Sequence, residues 1–300
     1  MFSTLLGTLP PASEGIDPSS EDAVRQRLSE LETIGLDVLT DGLPPALAQT
    51  AASEVVERWR RAAALTDRPV KAVLVGPYSA AVGIGGSPEA IGRTLRGTVA
   101  ALAEAGCPLI EIDESTALAI VVDAGQRAQF VEAHRSLTAS APAAPATHLS
   151  LAMNGGNFDV AGPATFFALP YASYAFDLIA GPDNWRLVTA APPERGIVCG
   201  AISPASDGDE SKELLIWAAS YAAASNGRGM DRIGLANAPG LEAGSWDVAR
   251  RKLQVVARAA ELLALGDPEL IKARMDPRAV DARSAALGRY EPRSRSKRTD

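Results

Sequence analysis

Short apolar runs rich in β-branched residues alternate along this 300-residue chain with longer amphipathic segments. That alternation constrains the fold more than any other feature. Side chains of a strand alternate between two faces, whereas a helix returns to the same face about every 3.6 residues, so the two patterns can be told apart. The strand-like runs are FSTLLGTL (2–9), DVLTDG (37–42), VKAVLVGP (70–77) and LIEID (109–113). Four more follow: THLSLAM (147–153), YAFDLI (174–179), GIVCGAIS (196–203) and RIGLANA (232–238). The helical stretches between them carry their own boundaries. SEDAVRQRLSELETIG opens on Ser20 as N-cap and stops at Gly35. SPEAIGRTLRGTVAALAEAG opens on Ser87, Pro88 and Glu89 and stops at Gly106. SWDVARRKLQVVARAAELLALG closes the series. Eight strands, each followed by a helix, is the arithmetic of an α/β fold with a single (β/α)8 TIM barrel, here spanning 1–285.

The rival is an open doubly wound sheet, which would show a glycine-rich phosphate turn after its first strand. Here that turn reads GTLPPASEG, and its prolines carry no amide donor. VGIGGSPEAIG (82–92) lacks the Lys-Ser/Thr of a phosphate loop and the dinucleotide spacing, so it reads as a loop before a helix. The low-complexity stretch SLTASAPAAPATH (136–148) reads as a long loop between a helix and a strand, not a domain boundary. Residues 286–300, ending in RYEPRSRSKRTD, read as a basic, disordered tail.

Hydrophobic residues make up 47% of the chain, ample for a buried core, and the formal charge of −7 carries no footprint for nucleic acid. Cys107 and Cys199 sit in apolar contexts and form no disulfide framework, which fits a reducing cytosol. No stretch reads as a signal peptide or a membrane span. The expectation is a cytoplasmic protein whose partner is a small-molecule substrate.

A barrel keeps its chemistry at the C-terminal ends of its strands. Those ends offer Thr8, Asp41, Pro77 and Tyr78, then Asp113 and Glu114, then His148 and Ser150 ahead of Asn154, Asn157 and Asp159, and finally Asp177, Ser203 and Asn237. In LIEIDES adjacent residues face opposite ways, so one of Asp113 and Glu114 at most aims into the mouth. Asp113 is expected to contact a cationic amine; Glu114 either contacts substrate or caps a helix. Asp41, in an Asp-Gly turn, is expected to shape the loop. His134 in FVEAHRSL is expected on a helix surface, and both cysteines are expected to pack.

In chain order, LLGTLPP, GLDVLTDG, VKAVLVGPYSAA, LAEAGCPLIEIDESTAL and LANAPGLEAGSWDVARRKLQVVARAA resemble the cobalamin-independent methionine synthase family, its C-terminal catalytic barrel and its short single-barrel relatives. The likeness covers nearly the whole chain. It implies an enzyme in which zinc binds and activates a homocysteine thiol that then takes a methyl group from a folate. It also implies an amino-acid pocket in which Leu6, Gly7 and Thr8 hold a carboxylate and Asp113 an ammonium. The zinc ligands of that family are His-x-Cys, a glutamate one strand later, and the cysteine of Cys-Gly-Leu. Here His148 remains, Ser150 replaces the cysteine, Ala175 stands at the glutamate with Asp177 the nearest acid, and Pro239 precedes Gly240 and Leu241. Ser203-Pro204-Ala205 replaces the proton-donating Asp-Ile-His, and Leu43 replaces the glutamate of Asp-Gly-Glu.

Those departures lead to the expectation of no metal site. The enzyme would be transferase-like, carrying out methyl or alkyl group transfer, or acid/base chemistry, on an amino-acid-like or thioether substrate. His148 would serve as base or acid, with Asp113 orienting the substrate and Glu114, Ser150, Asn154 and Asp177 lining the pocket. A folate-type methyl donor is compatible with this. The alternatives are a catalytically silent binding subunit and a metal-free decarboxylase like the related uroporphyrinogen decarboxylase barrel, whose Arg-rich motif is not visible here.

Overall fold

Alternate residues of each apolar run face a layer of helices, and the residues between them face the other way, which is what a sheet with two different environments requires. The computed structural model describes residues 1–11, 17–139, 147–204 and 211–274. Seven strands form one parallel, curled sheet: β1 (Phe2–Ser3), β2 (Ala72–Val75), β3 (Leu109–Glu114), β4 (His148–Met153), β5 (Ser173–Asp177), β6 (Gly196–Ile202) and β7 (Ile233–Asn237). Their order is β1-β7-β6-β5-β4-β3-β2. The helices are α1 (Glu21–Ile34), α2 (Ala52–Ala63), α3 (Pro77–Ile84), α4 (Pro88–Glu104), α5 (Ala119–Val122), α6 (Ala124–Thr138), α7 (Pro163–Phe167), α8 (Trp185–Ala190), α9 (Lys212–Ala224), α10 (Trp246–Ala264) and α11 (Pro268–Ala273).

Two caps fall where the sequence puts them: Ser20 and Ser87 accept from Ala23 N and Ala90 N at the heads of α1 and α4. Ser245 does the same for Val248 N at the head of α10. Gly35 ends α1 in the left-handed region. The stretch 82–92 is in part helical: Val82, Gly83 and Ile84 finish α3 before the loop that leads into α4. The tail 286–300, residues 140–146 of the low-complexity stretch, and Ala205 lie outside the described residues.

The first two strand-like runs depart most from expectation, and the third keeps only Ala72–Val75 of 70–77. Segment 37–42 forms no ladder; it meets both edges of the sheet through isolated parallel bridges, Thr4 with Val38 and Leu39 with Val70. Side chains do the holding instead. Asp37 accepts from Ser3 N and Ser3 Oγ at 2.8 and 2.7 Å, and Asp41 turns away to Arg58 at 2.6 Å. The first run keeps its ladder only over Phe2–Ser3. Past Thr4 the amide of Asn237 replaces a neighbouring strand, accepting from Leu6 N and donating to Leu6 O.

The helix-facing side of the sheet carries Ile110, Ile112, Leu149, Leu151, Tyr174, Phe176, Ile197 and Leu235, all in the main core. The opposite side is different in kind. At one level Ala152 pairs in register with Asp113 on one side and Ala175 on the other, and Leu6, Val198 and Ala236 complete a small apolar cluster. One step toward the strand starts the lining is polar. Lys71 Nζ lies 2.6 Å from Glu111 Oε2 and 2.6 Å from Leu5 O. Next to that pair His148, Ser173 and Ser150 form a hydrogen-bonded chain.

Candidate functional site

Asp113 stands at the level of the small apolar layer, in register with Ala152, and Asn154 lies just beyond it. Asn154 Nδ2 donates to Asp113 Oδ1 at 2.7 Å. Asp113 keeps part of its surface open to solvent, yet protein crowds the carboxyl closely enough to push its pKa up to about 7. Desolvation is the main cause; the nearby Glu111 and Glu114 charges add to it, and Asn154 and Lys71 oppose it. A carboxyl that exchanges its proton near neutrality is suited to acid/base work. Asn154 is 3% exposed, and its Oδ1 has no hydrogen-bond partner.

The loop after β4 that follows Asn154 is stitched in place. Asp177 accepts from Gly155 N with Oδ2 and from Ile179 N and Ala180 N with Oδ1. Asn184, fully buried, accepts from Phe158 N at 2.7 Å and donates to Gly156 O and Asp177 O at 2.9 Å each. Asn157 and Asp183 exchange two further bonds. Asp177 therefore has its oxygens occupied by backbone amides and shapes the rim. On the far side Gly7 takes φ +81°, and a Cβ there would come within 3.2 Å of Pro239, so glycine lets the segment after β1 approach the segment after β7. Leu6 is buried in the small apolar cluster, while Gly7 and Thr8 are half-buried.

Glu114 faces away from Asp113. It is fully buried and caps the start of α3, accepting from Tyr78 N at 2.9 Å and Ser79 N at 2.7 Å. Behind it stands His134, fully buried rather than on the surface as expected. Its Nδ1 is 2.6 Å from Tyr171 Oη, and its Nε2 lies 3.0 Å from Glu114 Oε1 without the alignment of a hydrogen bond. Burial raises the Tyr171 pKa well above its usual value, so the phenol keeps its proton and donates it to Nδ1. The stripe Phe130, Ala133, His134 and Leu137, all buried on α6, is the helical spacing that reveals this position.

His148 also stands elsewhere than expected. It is the first residue of β4, not the last, six positions before Asn154 and so roughly 20 Å from it along an extended chain. The run THLSLAM gives a strand's facing but not its level, and Thr147 lies before the ladder begins. His148 Nε2 is 2.7 Å from Ser173 Oγ, which itself donates to Ser150 Oγ at 2.9 Å. Burial lowers the His148 pKa, so the ring is held neutral within this chain of hydroxyls. Ser150 belongs to this interior chain, below the rim.

The zinc that the resemblance implies does not fit these residues. Ala152 and Ala175 at the small apolar level have no donor atom, His148 is a strand-length away from the rim, and Pro239 offers none. Among the described residues no three His, Cys, Asp or Glu side chains come together to hold a metal ion. Burial pushes the thiols of Cys107 and Cys199 up to about 11 and about 12, so both pack as neutral side chains. None of the described helices is long and apolar enough to cross a membrane.

No protein-family model matches this chain, and no curated protein matches it either. Solved structures do. The fold is similar to that of a B12-independent methionine synthase from Shewanella sp. W3-18-1 in complex with selenomethionine, with a TM-score of 0.70 at 15% identity over 88% of this chain and 98% of that one. A putative vitamin-B12-independent methionine synthase from Listeria monocytogenes matches with a TM-score of 0.61 at 13% identity, over 86% of this chain and 96% of that one. A methyltransferase from Methanosarcina mazei matches with a TM-score of 0.58 at 12% identity, over 87% and 92%. At such identities the likeness establishes an α/β fold of TIM-barrel type, one that enzymes use.

Proposed function

We propose that this chain is a methionine-synthase-like (β/α)8 barrel enzyme, with segment 37–39 acting as the eighth stave, that works without the zinc of that family. The substrate is a small amino-acid-like or thioether molecule bound at the strand ends, and the reaction is transfer of a methyl or alkyl group or acid/base cleavage. One observation carries the reading: Asp113 is a crowded carboxyl with a pKa near neutrality, placed at the strand ends beside a buried, unsatisfied amide. In this reading Asp113 takes over the role first given to His148, holding the substrate's ammonium and moving a proton. Asn154 lines the pocket beside it, and Leu6, Gly7 and Thr8 receive the carboxylate. Glu114, Asp177 and Ser150 support these residues from behind or below. A folate-type donor is the group donor most in keeping with the resemblance.

Thermal-shift and calorimetric screening of amino acids, thioethers and folates against wild type and Asp113→Asn tests this. L-Methionine or a close analogue is expected to bind wild type and to lose at least tenfold in the variant, the worth of one hydrogen bond to a charged group. Equal binding to both proteins would overturn the assignment of Asp113. A second reading, a catalytically silent binder of the same fold, is favoured by the run of Ala152, Ala175 and Ala236 where a reacting side chain would be wanted. Turnover of a ligand found in the screen separates the two.

A further inference from the structure

Asn154 presents a contradiction that the rest of the strand ends do not. Its amide is 3% exposed, its Nδ2 is committed to Asp113, and its Oδ1 has no partner. Leaving a buried acceptor unmade costs more than the mean worth of a hydrogen bond, so native proteins rarely leave one without a purpose. The surroundings do not let it escape. Gly155 next to it is held by Asp177, Asn184 anchors the loop to β5 through three bonds, and Leu118 packs against Gly156. The amide is therefore a fixed group that points an empty acceptor beside a carboxyl.

A carboxylate only accepts, but a carboxylic acid has one O–H to give. A protonated Asp113 has an O–H to give and Asn154 has an unpaired Oδ1; joining them while Asn154 Nδ2 continues to donate to Asp113 Oδ1 closes a cyclic acid–amide pair that satisfies both side chains. With Asp113 ionised the pair opens and leaves two acceptors side by side, one on each residue. We infer that Asn154 is a specificity-determining residue: it holds the proton of Asp113 in the resting site, and gives up that proton's place to a ligand nitrogen bearing two or more N–H bonds. The balance is simple. Asp113 loses its proton to solvent, the ligand's ammonium keeps all of its own, and two N–H bonds replace one O–H bond. The inference deepens the reading above and rests on it only in placing Asp113 toward the ligand.

The charges facing Asp113 set the pH at which this happens. Glu111 on β3 and Glu114 on the opposite face of the same strand favour the protonated form; Lys71, just ahead of β2, opposes it. From β5, Asp177 reaches the neighbouring Gly155 but has its oxygens taken by backbone amides. The Asn154 Nδ2 bond to the ionised carboxylate works against protonation, so the acid form draws its favour from desolvation and the two glutamates, and the pairing rests on the unpaired Asn154 Oδ1.

The probes are methylammonium chloride and tetramethylammonium chloride, equal in charge but different in N–H content, titrated into full-length wild type at constant ionic strength. The side-chain amide resonances of Asn154 and the carboxyl carbon of Asp113 are followed by NMR. Both residues are expected to titrate with one common midpoint. Methylammonium should shift the Asn154 resonances and bind at least tenfold more tightly than tetramethylammonium. Calorimetry at pH 6 in buffers of different ionisation enthalpy should find about one proton released per methylammonium bound, and none at pH 9. Asn154→Leu should remove the preference between the two probes, and Asp113→Asn should abolish the titration of the Asn154 amide. Asn154 resonances that stay flat while Asp113 titrates, or equal affinity for the two probes, would overturn the inference in the wild type alone, whatever the variants do. L-Methionine failing to bind while methylammonium behaves as described would sink the amino-acid reading and leave the pair standing. L-Methionine binding with Asn154 unresponsive would do the reverse.

Discussion

Replacing Lys71 by methionine tests the interior polar layer most sharply. The ion pair it makes with Glu111 is out of water, the two side chains being 1% and 5% exposed, and Lys71 also satisfies Leu5 O. Methionine keeps the length of the stem but removes the charge. Glu111 is left as a buried carboxylate without its cation, and breaking such a pair costs about 3–5 kcal/mol. The unmet Leu5 carbonyl adds about 1 kcal/mol or more. A buried carboxyl that has lost its counter-ion can avoid part of that cost by keeping its proton, so the loss should be smaller at pH 5 than at pH 8. The double variant Lys71→Met/Glu111→Leu removes the orphaned charge as well and should recover most of the stability, ending within about 2 kcal/mol of wild type. Urea unfolding at both pH values, read as midpoint and slope, measures all three proteins. A single variant that costs under about 1 kcal/mol at pH 8, or a double variant as damaged as the single, would show that stem packing and not charge holds this layer together.

Asp113→Asn should change how stability depends on pH. The folded pKa of Asp113 is raised to about 7 from the ordinary aspartate value of 3.8, so between those values the native state binds a proton that the unfolded chain does not. Wild-type stability therefore falls as pH rises through that window, and the variant should be relatively more stable at pH 8 than at pH 4, read from urea midpoints. His148→Ala should leave ligand binding at the strand ends unchanged and cost about 1 kcal/mol, because only the bond to Ser173 is lost and Ser173 still reaches Ser150. Gly92→Ala should cost about 1–3 kcal/mol despite alanine's better helix propensity, since its Cβ would sit 2.3 Å from Ala133 O and force α4 away from α6. Thermal unfolding measures it, and a stabilised variant would contradict the close approach.

Much of the sheet could be read from the chain because alternation is a direct consequence of strand geometry. The runs around Ile110, Leu149, Tyr174 and Ile197 face helices at every second residue, and the serine caps of α1, α4 and α10 mark starts that the backbone demands. What alternation cannot give is level along the strand. THLSLAM correctly suggests that His148, Ser150 and Ala152 share a face, yet nothing in it says that the ladder starts at His148 rather than ending near it. Segment 37–42 has strand composition, but Asp37 and Asp41 spend their carboxylates on Ser3 and Arg58, a tertiary outcome invisible locally. Lys71 and Glu111 are charges inside apolar runs, and their signal is that such charges, buried from both sides, need each other. Asp113 could be picked out from LIEIDES; its tie to Asn154 depends on the register between β3 and β4.

The central claim is that the strand ends hold a carboxyl poised near neutrality. The most direct measurement is a 13C NMR titration of the Asp113 carboxyl carbon in wild type, assigned by comparison with Asp113→Asn. A midpoint near 7, tracked by the Asn154 side-chain amide, is the expected result. A midpoint near the ordinary aspartate value of about 4 would mean that Asp113 is solvated and ionised, and the site would lose both its proton and its reason to exist.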